Sequence, residues 1–109
     1  MANDFKNSLS NNITTETTVH TVTNTNPSVL LQLDIANLSA VSITANVKIT
    51  DSSTSTTVHL IKDAPIPIGS TLQAINGQKI ILEQNDTVKV SANGGAVDVI
   101  ASLLTDVVS

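Results

Sequence analysis

The residues of this chain that could do acid–base or metal chemistry are few. Its two histidines, His20 and His59, stand in the similar segments Thr-Val-His-Thr and Thr-Val-His-Leu. Histidine can act as a general base or bind zinc, but a shared metal site would need neighbouring strands and nearby carboxylates. The spacing of the two histidines indicates neither. We therefore predict that both are polar strand residues on an exposed or interface face.

Other catalytic and metal-binding patterns are also missing from the sequence. There is no Gly-x-Ser-x-Gly motif, residues 69–71 lack the lysine of a phosphate loop, and the absence of cysteine excludes thiolate catalysis and Cys-ligated zinc. Asp51 and Asp86 follow no calcium-loop spacing, and we interpret them as turn residues that accept hydrogen bonds from nearby backbone N–H groups. We predict no catalytic residue, no metal and no cofactor, so the chain is not expected to be an enzyme.

Charge and apolar patterning exclude two further partner classes. Five basic residues against nine acidic ones give a net charge of −4, which repels a phosphate backbone, and a single aromatic residue leaves little to stack on bases. The longest apolar runs, residues 29–31 and 80–82, are far shorter than a membrane span or the core of an export signal. We expect no nucleic-acid partner and no membrane partner, and use or assembly in a cytoplasm.

The elements that must position any site are β-strands. Val, Ile and Thr favour strands, while the many Asn and Ser residues favour turns. Residues 41–50 and 96–105 alternate with a period of two, which places their odd-numbered residues on a buried face. Turn signals separate the strands at residues 24–27, 37–40, 51–55, 84–86 and 93–95.

Two shorter signals refine this pattern. Asn76-Gly77 predicts a hairpin between residues 71–75 and 78–82, since this dipeptide accepts the angles of a two-residue turn. Pro65 and Pro67 cannot donate to a ladder and predict a sheet edge or a crossing between sheets. The fold class is therefore all-β, an antiparallel β-sandwich of about eight strands, immunoglobulin-like or jelly-roll, with a small closed barrel as the alternative.

Residues 1–16 show no strand alternation and are predicted to form an N-terminal arm outside a β-sandwich domain of residues 17–109. The arm holds Phe5, the one aromatic residue of the chain. One helical turn would place Phe5 and Leu9 on the same face. One interpretation is a disordered arm or a ring folded over a sheet edge. The other, which assigns Phe5 and Leu9 as partner-binding residues, is that they anchor the domain to another protein.

Residues 47–104 resemble a family of small virion structural proteins of tailed bacteriophages, including cyanophages and marine phages. The resemblance is carried by Val-Lys-Ile-Thr-Asp-Ser-Ser at residues 47–53, by Val-His-Leu-Ile-Lys-Asp-Ala-Pro-Ile-Pro-Ile-Gly-Ser-Thr-Leu at 58–72, and by Gly-Gln-Lys-Ile-Ile-Leu-Glu at 77–83. The chain departs from the family at Asn85, where the family often has Gly. It also has a different sequence at residues 23–27, where the family has a characteristic turn before the region of resemblance. The opening residues 1–7 also resemble the family.

The resemblance implies a non-enzymatic β-sandwich component of a phage particle. The first expectation is a capsid decoration (cement) protein that binds the major capsid protein or other virion proteins, is a homo-oligomer, and is assembled into the virion in the bacterial cytoplasm. A neck or tail component is the alternative within this class. A host-surface adhesion or ligand-binding module is the alternative of another class, although its loops would be expected to carry aromatic or arginine side chains, and these loops are rich in Asn, Ser, Thr and Gly.

Overall fold

Two four-stranded sheets form the fold in the computed structural model, which describes residues 3–108, with the side chains of residues 76–78 outside the described set. Within these limits the eight strands are β1 (Asp4–Ile13), β2 (Thr17–Thr21), β3 (Ser28–Asn37), β4 (Ile43–Asp51), β5 (Thr56–Ile66), β6 (Thr71–Leu82), β7 (Thr87–Asn93) and β8 (Val97–Thr105). No helix capable of crossing a bilayer occurs in this part of the chain.

The strand order identifies the sandwich as a jelly roll. The first sheet has the order β1-β8-β3-β6 and the second the order β2-β7-β4-β5. Every pairing within them is antiparallel. Strands adjacent in sequence mostly belong to opposite sheets, which is the double Greek-key arrangement of a jelly roll. The predicted all-β sandwich of about eight strands is confirmed, and the order selects the jelly roll over the immunoglobulin-like alternative.

Every apolar residue buried between the sheets is aliphatic, among the residues that the structure describes. The predicted inward positions of β8, the odd-numbered residues 97–103, are buried, and so are Ile43, Ala45 and Val47 of β4. Val41, also predicted to face inward, is 54% exposed because β4 begins only at Ile43. The period-two alternation therefore located the core, but it placed the start of this strand two residues too early.

The predicted hairpin at Asn76-Gly77 is wrong, because β6 runs through it as one strand. Both halves of β6 pair with β3: Thr71 lies opposite Ala36, and Ile80 lies opposite Leu30. The register of this pairing shifts along the strand. Asn and Gly are favoured at irregular positions within strands as well as in turns. The dipeptide therefore does not by itself specify a chain reversal. The side chains of the dipeptide lie outside the described set.

Residues 4–13 form strand β1 of the first sheet, so the prediction that the arm lacks strand structure is wrong. β1 is an edge strand that pairs with β8. Its inward positions include Ser8, opposite Ala101, and Ser10, opposite Val99. Small polar residues at the inward positions of an edge strand hide the alternation that marked the other strands.

Asn37, at the end of β3, joins three segments at one end of the sandwich. It is 8% exposed, and its side-chain amide donates to the backbone carbonyls of Val41 (2.9 Å), Ile66 (3.0 Å) and Pro67 (3.3 Å). Its Oδ1 accepts a hydrogen bond from the backbone N–H of Ser39 at 2.7 Å. One side chain thus satisfies backbone groups of the β3–β4 turn and of the end of β5.

Candidate interaction surface

A row of four apolar side chains crosses the outer face of the first sheet. Phe5 of β1 lies opposite Leu104 of β8, Leu104 lies opposite Val29 of β3, and Val29 lies opposite Ile81 of β6. Their sequence neighbours on β3 and β8 are buried in the core, so the four side chains point away from it. Phe5 is 78% exposed and Ile81 is 69% exposed, while the two central members are half-buried.

A second apolar pair extends this row along the same surface. Leu9 of β1 lies opposite Ile100 of β8, and both are at least half exposed. Between the row and the pair lie Asn7 and Ser102, whose side chains are joined by a 2.9 Å hydrogen bond from Ser102 Oγ to Asn7 Oδ1. We call the surface formed by the row and the pair the apolar face; its members are Phe5, Leu9, Val29, Ile81, Ile100 and Leu104.

The outer face of the second sheet has a different chemistry at the equivalent place. A row across all four of its strands consists of Thr18, Lys89, Lys48 and His59. Lys48 Nζ donates to the carboxylate of Glu16 at 2.7 Å, and this hydrogen bond, together with the lysine charge, lowers the pKa of Glu16. A lysine and threonine surface of this kind is well hydrated. The sandwich therefore presents one polar side and one apolar side.

The size and composition of the apolar face suit contact with another protein. The whole outer face of the first sheet, polar residues included, measures about 33 by 19 Å, or roughly 600 Å², for strands of ten residues spaced ~4.8 Å apart. A standard protein interface buries roughly 800 Å² on each partner. Exposed apolar clusters rimmed by polar residues mark interaction sites in soluble proteins. The apolar face is one part of this sheet face, so a single copy offers less than a standard interface.

The structure brings together the two residues that the sequence assigned to partner binding. Phe5 and Leu9 share a face, although a strand rather than a helical turn puts them there, since strand residues four apart point the same way. Sequence reasoning missed Val29, Ile81, Ile100 and Leu104. A signal was available: the apolar runs 29–31 and 80–82 leave no polar residue for an outward position, so each run must expose an apolar side chain.

The two histidines are held apart. His20 is on β2 and His59 on β5, which are the opposite edges of the second sheet. Two strands separate them, a distance of roughly 14 Å at ordinary strand spacing. This excludes a metal site that uses both histidines. The prediction that both are polar strand residues is confirmed, with His59 exposed and His20 half-buried at the edge where the sheets meet.

His20 predicts a measurable pH dependence of stability. Its Nδ1 lies 3.2 Å from Ser8 Oγ across the two sheets, and burial lowers the pKa of its imidazole below the ordinary value. Above the unfolded pKa of about 6.5 both states are neutral and the full stability is present. As pH falls below that value the unfolded chain binds the proton first, so the free energy of unfolding decreases.

We expect the thermal midpoint to fall further between pH 7.5 and pH 5 in the wild type than in His20→Gln. Glutamine keeps a hydrogen-bonding group near Ser8 without the titration, and the carboxylates contribute equally to both proteins. Differential scanning calorimetry at the two pH values measures the difference. Parallel curves for the two proteins would show that His20 does not destabilise the fold on protonation.

Three carboxylates lie close together at one end of the sandwich, where the chain turns. Oxygen atoms of Asp51, Glu83 and Asp86 lie within 4.8 Å of one another. Asp86, which is buried, accepts hydrogen bonds from the backbone N–H groups of Ser52 (3.0 Å) and Glu83 (2.9 Å).

Asp51 accepts from the backbone and hydroxyl of Ser53 at 3.0 and 2.7 Å, and these bonds lower the pKa of its carboxyl. The prediction that Asp51 and Asp86 accept hydrogen bonds from nearby turn N–H groups is confirmed, with Asp51 as the last residue of β4. Asp86 connects the β6–β7 turn to Ser52 of the β4–β5 turn, whereas the bonds of Asp51 stay within its own turn.

No protein-family model, no curated protein and no solved structure matches the chain.

Proposed function

We propose that this chain is a non-enzymatic structural protein of a bacteriophage particle, a decoration protein that binds and stabilises the shell built by the major capsid protein. The observation that supports this most is the contrast between the apolar face and the polar opposite face. A protein that lies on a shell needs one side to contact the shell and one side to face water. The sandwich has one side of each kind.

The mode of binding follows from the composition of the apolar face. Its members are aliphatic apart from Phe5, and most residues beside them, such as Asn7, Ser102 and Asp34, are neutral or acidic, although Lys79 of β6 lies two residues from Ile81. Such a surface binds by excluding water from apolar groups, with an aromatic anchor at Phe5, rather than by charge pairing. A single copy then contributes a modest interface, and many copies on one particle multiply it.

The sequence supports the same proposal independently. Residues 47–104 resemble small virion structural proteins, and the jelly roll is an architecture that viral capsid proteins use among others. Because lectins and cupins use it too, the fold alone does not decide the function. The net charge of −4 and the single aromatic residue disfavour a nucleic-acid partner.

Copy number distinguishes the proposed role from its rivals. We expect quantitative gel analysis of particles purified from the encoding phage to give hundreds of copies of this chain per particle, with binding to shells that lack it. About five to twelve copies would contradict decoration and indicate a ring in the neck or tail. Absence from particles, with binding to host cells, would contradict the virion role and indicate an adhesion module.

A further inference from the structure

The first seven residues of β1, Asp4–Ser10, form the most regular stretch of the four sheet edges. They pair with β8 in one unbroken register and include no proline, and the register shift of β1 and its positive φ at Asn12 lie beyond them. The other edges differ: β2 has five residues, β5 contains Pro65 and a positive φ at Asp63, and the pairing of β6 with β3 shifts register twice. A long, regular and uncovered edge readily adds another strand.

We propose that β1 pairs antiparallel with β1 of a second copy of this chain, around a twofold axis at Asn7, so that two four-stranded sheets become one sheet of eight strands. In this register Asn7 faces Asn7 of the second copy. The contact is isologous, since each copy uses the same strand, and it closes at two copies. Pairing of this kind occurs in solution whether or not the dimer binds a shell.

The sequence of β1 is complementary to itself in this register. Phe5 lies opposite Leu9 of the second copy, and Leu9 lies opposite its Phe5, which makes two aromatic–aliphatic cross-strand pairs. Each of these side chains has an apolar neighbour from β8 on one side, and in residues 3–108 no strand lies on the other side. A second copy supplies the missing neighbour for both.

The charges of the strand also fit this register. Lys6 lies opposite Ser8 of the second copy, and Asp4 lies opposite its Ser10. Like charges directly opposite each other destabilise paired strands, and this register places neither charged residue opposite a like charge. Other strands could be added to the same edge, but the symmetric match of Phe5 with Leu9 selects a second copy.

The dimer has a consequence for the apolar face. Around an axis perpendicular to the sheet, the two copies turn their outer faces to the same side. The outer sheet face on that side then doubles from roughly 600 to roughly 1,200 Å² by the strand spacing, and the two apolar faces lie within it on either side of the axis. The doubled sheet face exceeds the roughly 800 Å² of a standard interface, whereas the sheet face of a single copy does not reach it.

The absence of native cysteine allows a direct test on the full chain. We expect Asn7→Cys, mildly oxidised at about 100 µM, to form a covalent dimer as its major product, and a mixture of Phe5→Cys and Leu9→Cys to form the mixed dimer. Directly opposed strand residues are close enough for a disulfide. Thr18→Cys, on the second sheet, and Gln32→Cys, in the middle of the first, are the matched controls and should remain monomeric on gels.

Thermal melts of the reduced variants confirm that each is folded before oxidation. Sedimentation of the wild type should show a dimer, with Leu9→Asp weakening it roughly tenfold because both Phe5–Leu9 pairs are lost. Faster crosslinking at Gln32→Cys than at Asn7→Cys would overturn the proposal in favour of face-to-face packing. A monomeric wild type with equal crosslinking at all positions would overturn it as well.

Discussion

The double variant Phe5→Thr/Ile81→Thr is expected to bind decoration-free particles roughly 100-fold more weakly than the wild type. Burial of a large apolar side chain contributes ~1.5–3 kcal/mol, and loss of two such anchors at the ends of the row removes about 3 kcal/mol of binding free energy. The fold should be unaffected, because both side chains are mostly exposed and threonine retains strand propensity. Co-sedimentation of labelled protein with particles measures the affinity.

The matched control for this variant is Val58→Thr, which replaces an exposed apolar residue of the second sheet. It should bind particles like the wild type, and all three proteins should melt within a few degrees of one another. Equal weakening of binding by Val58→Thr would show that general hydrophobicity, not the apolar face, mediates attachment. A large fall in the melting temperature of the double variant would assign Phe5 and Ile81 to stability instead.

The largest effect on stability is expected at Asn37. Asn37→Ala should lower the free energy of unfolding by about 3 kcal/mol, since it leaves the carbonyls of Val41 and Ile66 and the N–H of Ser39 without their partner in a buried place. For a domain of this size the thermal midpoint should fall by roughly 12–20 °C. Urea unfolding followed by far-ultraviolet circular dichroism gives the free energy.

The control for Asn37 is Asn46→Ala. Asn46 accepts one hydrogen bond from the backbone N–H of Asp63, in an exposed place, so its loss should cost less than 1 kcal/mol. Asn37→Asp keeps an acceptor for Ser39 but places a carboxylate against carbonyl oxygens, and it should destabilise at least as much as Asn37→Ala. Destabilisation of less than 1 kcal/mol by Asn37→Ala would contradict the bridging role of its amide.

Sequence patterns predicted the fold where burial follows a simple period. The alternation in residues 96–105 located β8 and its buried face, and the turn role of Asp51 and Asp86 followed from local side-chain chemistry. The same reasoning failed at β1, where Ser8 and Ser10 occupy inward positions. It failed again at Asn76-Gly77, because a strand with a partner elsewhere in the sequence overrides a local turn preference.

The candidate surface was only partly predictable for a related reason. Phe5 was conspicuous as the single aromatic residue, and Leu9 followed from it. Leu104, Val29 and Ile81 join Phe5 through pairings between strands far apart in sequence, and that register is a property of the folded sheet. A single sequence shows that residues 29–31 and 80–82 are apolar on both faces, but it does not show that their outward members lie side by side.

A cryo-electron microscopy map of the phage particles that we propose contain this protein is the most direct test of the proposal that the apolar face attaches it to a capsid shell. We predict many copies on the outer surface of the shell, with Phe5, Val29, Leu104 and Ile81 against the major capsid protein and the lysine-bearing row of the second sheet in solvent. A map with the apolar row in solvent and the second sheet against the shell would contradict it.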